Sequence, residues 1–323
     1  MDQKIQFYEQ MLGEVARLWD VEIKDSRHAV PLAGSPERSE FRTVVESIKG
    51  DLFVLERLIS KTYERRKKIA QQLDRLAEEG MEWIIPYRKN RDGEQILPYH
   101  YQFWQIQDYY SGVELDRPQY AFDEWRGRAL ADFLIELKRR EGAVCETPES
   151  SFRLQPYVFR LVSDVETHDP WCLPRMRPAI DLLKKNFFPA EKDLPYGFCH
   201  GDFHPLNVIW SPRGIGAVID WEFCGMKTEL YDAALMVGCL GVEDPEALTA
   251  DCVRAFLERL QDAKIYQPIS WRYFFDLVLA ARFGWMAEWL RKKDLEMAEM
   301  ELDYWDILLE ERAVLMTAWN VSK

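Results

Sequence analysis

Apolar residues recur at Ile5, Tyr8, Leu12, Val15 and Trp19, the three-to-four spacing of a helix that buries one face. The pattern then changes to short runs rich in β-branched and aromatic residues, at 28–32, 41–48 and 52–59. Ala33-Gly34-Ser35-Pro36-Glu37-Arg38 separates the first two runs, and Lys49-Gly50-Asp51 makes a hairpin turn between the last two. A basic stretch at 62–79 carries Ile69, Leu73 and Leu76 on one side and predicts a helix. Two further strand-like runs, 83–87 and 100–106, flank the turn sequence Asn90-Arg91-Asp92-Gly93. Residues 20–108 therefore predict the order β-β-β-α-β-β, a small and mainly antiparallel sheet with one helix.

From residue 125 onward helical periodicity dominates, with candidate helices at 125–139, 178–187, 231–240, 245–260, 271–290 and 295–317. In the last, Leu295, Ala298, Leu302, Trp305 and Leu309 share a stripe, and eight acids with no base lie between Asp294 and Glu311. Such an acid run predicts a solvated helix face. There is no internal repeat and no low-complexity segment. The fold class is α+β, divided into a β-rich part, 1–108, and a larger, mainly helical part, 109–323.

Composition narrows the function classes. The chain has 323 residues, 47% of them hydrophobic, 13% aromatic and 30% charged, which is the make-up of a folded soluble protein. Its 42 basic and 55 acidic side chains give −13 (42 − 55), of which 1–108 contributes −2 (17 − 19) and 109–323 contributes −11 (25 − 36). So acidic a surface argues against a nucleic-acid groove or an anionic membrane as partner, since both need basic footprints. The cysteines Cys145, Cys172, Cys199, Cys224, Cys239 and Cys252 form no CxxC pair, which favours reduced thiols over disulfides or structural zinc. The first ten residues contain no apolar signal core, and the most apolar run, 233–242, is far short of the ~20 residues a membrane span needs. A soluble, cytoplasmic chain is expected.

One stretch carries chemistry: Cys199-His200-Gly201-Asp202-Phe203-His204-Pro205-Leu206-Asn207-Val208-Ile209-Trp210, then a Ser211–Gly214 turn, then Ala217-Val218-Ile219-Asp220-Trp221-Glu222. It reads as a polar loop, a short strand, a tight turn and a second strand ending in a carboxylate. The hairpin returns Asp220 to the vicinity of Asn207, with Asp202 five residues earlier. Two carboxylates and an amide oxygen suit Mg²⁺, which keeps waters and phosphates as its other ligands. A carboxylate outside the metal shell can orient a hydroxyl and accept its proton. Zinc on His200 and His204 is the alternative. It is weakened because His28, His100 and His168 form no cluster with them and Asn is a poor zinc ligand.

HGDFHPLN followed by VIDWE resembles the catalytic pattern of the aminoglycoside phosphotransferase/choline kinase-like family, small-molecule kinases with a bilobal protein-kinase-like fold. The resemblance implies ATP and Mg²⁺ as cofactors and a small-molecule hydroxyl as acceptor, on a sugar, amino sugar or amino alcohol. It makes Asp202 the catalytic base and gives Asn207 and Asp220 to Mg²⁺. Asp232, in Leu230-Tyr231-Asp232-Ala233-Ala234, would open a helix and brace the loop. Residues 104–112 look like the last N-lobe strand and hinge, where Gln107, Asp108 and Tyr109 would meet the adenine. Gly34, Ser35 and Arg38 would cover the phosphates, although the loop has only one glycine.

The pattern is broken at one place. Where the family carries a phosphate-binding lysine on the third strand, this chain has Glu56. Arg57, Lys61, Arg65 or Lys68 could compensate, and Glu56 could pair with Arg65 or Lys68; the simpler reading is that those bases solvate a helix face. Glu222, Arg282 and Trp285 are named with Asp202 as acceptor-side candidates, although the stripe of Arg282, Trp285 and Trp289 suits core packing equally. The rival function is a non-catalytic, pseudokinase-like module that binds a nucleotide or a partner. Protein-kinase activity is disfavoured because the interval from Asp220 to Asp232 is too short for a peptide-docking segment.

Overall fold

The computed structural model describes residues 3–27, 29–34, 39–144 and 151–321. The chain separates into two compact units, Met1–Glu114 with Ala143–Cys145 and Leu206–Glu222, and Leu115–Gly142 with Glu146–Pro205 and Phe223–Lys323.

The first unit is built on an antiparallel sheet of five strands, β1 (Ile23–Ser26), β2 (Phe41–Ser47), β3 (Leu52–Arg57), β4 (Ile96–Tyr99) and β5 (Gln102–Asp108), in the order β1-β2-β3-β5-β4. The helix α1 (Gln3–Ala16) places Leu12, Val15 and Ala16 in one cluster with Val45, Phe53, Leu55, Trp104 and Ile106 of the sheet. Side chains alternate along a strand, so Leu55 faces that cluster while Val54 and Glu56 turn to the opposite side. The helix α2 (Tyr63–Glu78) buries Arg66, Ile69, Leu73 and Leu76. The hairpin β7 (Val208–Ser211) and β8 (Gly214–Val218) belongs to this unit, and β7 is bridged to Val113 through Trp210.

Two expected strands are corrected. The first strand is Ile23–Ser26; of the expected run 28–32, His28 lies outside the described residues and 29–32 form no strand. This edge strand is polar apart from Ile23, so hydrophobicity did not mark it. The run 83–87 contains Pro86, which cannot donate to a ladder, and only Tyr87 makes a bridge, to Gln107. The strand is instead β4, joined to β5 by His100 and Tyr101 at φ 46° and 63°, a tight turn made without glycine.

The second unit is helical apart from β6 (Tyr196–Cys199) paired with β9 (Gly225–Thr228). Its helices are α3 (Glu124–Arg140), α4 (Leu154–His168), α5 (Leu173–Lys185), α6 (Phe188–Glu191), α7 (Tyr231–Glu243), α8 (Asp251–Asp262), α9 (Pro268–Arg272), α10 (Phe274–Ala281), α11 (Phe283–Lys292), α12 (Leu295–Glu310) and α13 (Arg312–Ala318). The expected helix 271–290 is broken at Tyr273 and Arg282, and 295–317 at Glu311. α4 was not anticipated, although Leu154, Val158, Leu161 and Val165 are spaced for a buried helical face. All eight residues of α10 are buried, which makes it the centre of this unit. α3 and α8 approach so closely that a Cβ on Gly127 would lie 2.1 Å from the Cys252 carbonyl oxygen. Among the described residues, no helix is long and apolar enough to cross a membrane.

Candidate active site

In the second unit the loop after β6 is fixed from below by Asp232, at the start of α7. Its carboxylate accepts the backbone N–H of His200 at 2.6 Å and that of Gly201 at 2.8 Å. Asp232 is buried, and burial pushes its carboxyl up to about 6; the two N–H donors and Lys227 pull the other way. Gly201 has φ 84°, and a Cβ there would collide with the Phe223 carbonyl at 2.1 Å, so the loop needs glycine at this point. Asp202 follows, half-buried, with its N–H on His200 Nδ1 at 3.2 Å.

His204 Nε2 is 3.8 Å from Asp202 Oδ1, and its ring meets Trp285 edge-on at 5.7 Å. Trp289 continues this aromatic wall at 5.7 Å from Trp285. The structure thus brings Trp285 to the Asp202 loop through His204, a connection that sequence spacing did not reveal. Arg282 is different. It is 2% exposed and donates Nε to Glu301 Oε1 at 2.7 Å and Nη2 to Oε2 at 2.5 Å. Burial pulls its guanidinium down, Glu301 outweighs it, and the net shift is up. Arg282 therefore does not reach an acceptor in this structure: it is half of a buried ion pair and lies 5.3 Å from the Trp285 ring. Glu301, fully buried, also corrects the reading of the acid run as wholly solvated.

In the first unit, Val208 pairs with Val218, and the Ile219 N–H reaches the Asn207 carbonyl at 3.0 Å, so Asn207 and Asp220 stand at the open end of one hairpin. Asn207 is 5% exposed. Asp220 adopts φ 63°, a left-handed conformation that a non-glycine residue holds only under constraint. Gly34, at φ 87°, lies directly against it: a Cβ there would be 2.8 Å from Asp220 Oδ1 and 3.0 Å from Oδ2. Ser35 and Arg38, the other expected loop residues, lie outside the described residues.

The cleft beside Asp220 is lined by Arg42, Glu56, Arg66, Tyr87, Gln107 and Glu222, among others. Glu56 is 6% exposed and is not an isolated negative charge. Its carboxylate takes an N–H of Gln105 at 2.5 Å and stands 3.6 Å from Arg66 and 3.9 Å from Arg42. The expected pairing with Arg65 or Lys68 is corrected: the partner is Arg66, one residue along. Arg65 instead donates through Nη2 (2.9 Å) and Nε (3.2 Å) to the Glu222 backbone carbonyl, and Lys68 is exposed. Arg66 Nε is also 3.2 Å from the Glu222 carboxylate, which places Glu222 against α2. Burial pulls the Arg66 guanidinium down, but Tyr87, Glu56 and Glu222 raise it further, and the same burial pushes the Tyr87 phenol up to about 12.

Arg57 points to the other face of β3, 3.2 Å from Glu40 and 5.9 Å from the Trp104 ring, so alternation removes it from the cleft. Gln107 lines the cleft. Asp108 is outside it, paired with Arg88 at 3.4 Å, and the Tyr109 hydroxyl bonds the Pro31 carbonyl at 3.1 Å. Arg42, Arg66 and Tyr87 were missed in the sequence. The legible signal was Arg66 itself, a charge at helical spacing with Ile69, Leu73 and Leu76. Among the described residues no three His, Cys, Asp or Glu side chains gather as a metal cluster.

An aminoglycoside phosphotransferase from Alicyclobacillus acidocaldarius superposes with a TM-score of 0.65 at 13% identity, covering 94% of each chain. Spectinomycin phosphotransferase APH(9)-Ia, in complex with ADP and spectinomycin, gives 0.64 at 13% identity over 93% of this chain and 97% of that one. A choline/ethanolamine kinase family protein from Mesorhizobium loti gives 0.60 at 14% identity, over 91% and 94%. These likenesses show a kinase-like fold, an antiparallel sheet region followed by a mainly helical part. A homoserine kinase from Parvibaculum lavamentivorans is 22% identical over 204 residues, 61% of this chain, and the match spans 60% of that relative's length. Residues 36–269 match the profile of the phosphotransferase enzyme family (APH), and the chain belongs to that family.

Proposed function

We propose that this chain is an ATP- and Mg²⁺-dependent phosphotransferase that transfers a phosphoryl group to a hydroxyl of a small molecule. The observation that carries the reading is the complete set Asp202, Asn207 and Asp220, on one loop and hairpin within the span that matches the family. In this reading residues 1–108 cover the nucleotide and 109–323 supply the catalytic loop and the acceptor site.

Asp202 orients the acceptor hydroxyl and accepts its proton, with His204 beside it. Asn207 and Asp220 offer hard oxygen donors at the end of one hairpin, a set that fits Mg²⁺ better than zinc. Bound there, Mg²⁺ would neutralise phosphate charge. Gly34 lets backbone approach the Asp220 carboxylate, and Gln107 stands at the expected adenine edge. The pseudokinase alternative draws on Glu56, but that carboxylate is countered by Arg42, Arg66 and Gln105. The Trp285–Trp289 wall suits a sugar ring by stacking or a cationic amino alcohol by cation–π contact.

The test is ADP release from MgATP or MgGTP with pooled amino alcohols, hydroxy amino acids and amino sugars. Acceptor-dependent ADP is expected, reduced about 10²–10⁴-fold in Asp202→Ala, which still binds nucleotide. Nucleotide binding by the wild type without any acceptor-dependent ADP would overturn the enzyme reading.

A further inference from the structure

The cleft of the first unit contains a run of charges of alternating sign. Arg42, on β2, stands across from Glu56, on β3; Glu56 faces Arg66, on α2; Arg66 faces Glu222, just past Asp220. Each end grips backbone or its neighbourhood. Arg42 Nη2 donates to the Ala33 carbonyl at 3.0 Å, next to Gly34, and Arg65 adds two N–H bonds to the Glu222 carbonyl. The two chain segments so gripped are the two that meet at the Asp220 carboxylate.

We propose that Arg42, Glu56, Arg66 and Glu222 form an ion-pair string that positions the Asp220 carboxylate against the Gly34 loop and thereby sets the affinity of the Mg–nucleotide site. The inference rests on the phosphotransferase reading for its ligand, but not for its mechanics. Two features support it. The side chains of Arg66 and Glu56 are only 7% and 8% exposed, so their attraction is little screened. Asp220 holds φ 63°, a conformation that persists only where the surroundings enforce it, and two successive arginines grip the residue two places on. These four are positioning residues: they act on Asp220 through the backbone of 219–222 and of 32–34.

The test has two arms, with circular dichroism confirming that each variant is folded. Arg66→Gln removes the cation that Glu56 and Glu222 share, while Arg42 stays 3.9 Å from Glu56. In hydrogen exchange, amides of 218–222 and of 32–34 should both exchange faster. In calorimetric titration with Mg·AMP-PNP, affinity should fall about 10–100-fold, the usual effect of removing the support of a metal ligand. Arg66→Lys, which keeps the charge, should recover part of both. Glu222→Gln should match Arg66→Gln, and the double variant should be no worse than either single one. Faster exchange confined to α2, or nucleotide affinity within twofold of wild type, overturns the string even if phosphotransfer is intact. Absence of nucleotide binding by the wild type overturns the functional reading instead, and the exchange arm still decides the string.

Discussion

Asp232 offers the sharpest quantitative test, because its burial and its hydrogen bonds pull in opposite directions. The carboxylate is 3% exposed and accepts two backbone N–H groups. Burial wins, and its pKa rises from 3.8 to about 6. A carboxyl whose folded pKa is raised stabilises fully below its unfolded pKa, and that contribution is lost as pH climbs through the folded value. A rise of roughly two units corresponds to about 3 kcal/mol, lost between about pH 4 and pH 6. Asp232→Asn removes this titration. It keeps one oxygen for one N–H and turns an amide NH₂ towards the other, which costs about 1–3 kcal/mol. Urea unfolding of both proteins from pH 4 to pH 7.5 should show the wild type's advantage at low pH shrinking by about 3 kcal/mol as pH rises. Other titrating groups, including Asp276, whose carboxyl burial also pushes up to about 6, cancel in the difference. A gap that stays flat or widens with pH would refute the argument that desolvation dominates at Asp232. Turnover should fall in the variant as well, because the braced N–H groups immediately precede Asp202.

Three further outcomes follow from other contacts. Gly127→Ala forces a methyl into the Cys252 carbonyl of α8 and should destabilise by about 1–3 kcal/mol or more, read as a lower melting temperature. Glu301→Gln strands the buried Arg282 charge and should cost about 3–5 kcal/mol in urea unfolding, whereas Arg282→Met with Glu301→Leu should return close to wild type. Gly34→Ala adds about 1–2 kcal/mol of backbone strain at φ 87° and pushes on Asp220, so calorimetric Mg–nucleotide affinity should fall more than overall stability does.

Local chemistry was what the sequence displayed best. The hairpin that carries Asn207 and Asp220 could be read because a turn, two short apolar runs and their polar ends lie within 206–222, and the observed register pairs Val208 with Val218 as that reading requires. α2 and α3 were legible within a residue or two at each end for the same reason: one strong apolar stripe each. Elements failed where something distant decides them. β1 is a strand because β2 offers it hydrogen bonds, not because its own side chains favour one. The β4–β5 turn places His100 and Tyr101 at positive φ, which no glycine or asparagine announced. The long helix expected at 271–290 breaks at Arg282, where the chain turns a guanidinium into the core.

The site residues that were misread share a single cause. Arg66 lies in register with Ile69 and Leu73, and Glu301 in register with Ala298, Leu302 and Trp305, so each places a charge in an apolar stripe. A charge there cannot stay unpaired, because an isolated buried ion costs several kcal/mol. The sequence therefore announced that partners exist. It did not announce which: Arg66 takes Glu56 from β3 and Glu222 from beyond β8, and Glu301 takes Arg282 from between α10 and α11. The same logic bears on Glu222 and Arg282, the first named for the acceptor because it follows Asp220 closely, the second because it shares a helical stripe with Trp285 and Trp289. In the structure each meets an opposite charge, Arg66 for Glu222 and Glu301 for Arg282. Glu56 shows the converse. Read alone it is a carboxylate where the family resemblance implies a lysine; read with Arg42 and Arg66 it is a member of a row of charges of alternating sign.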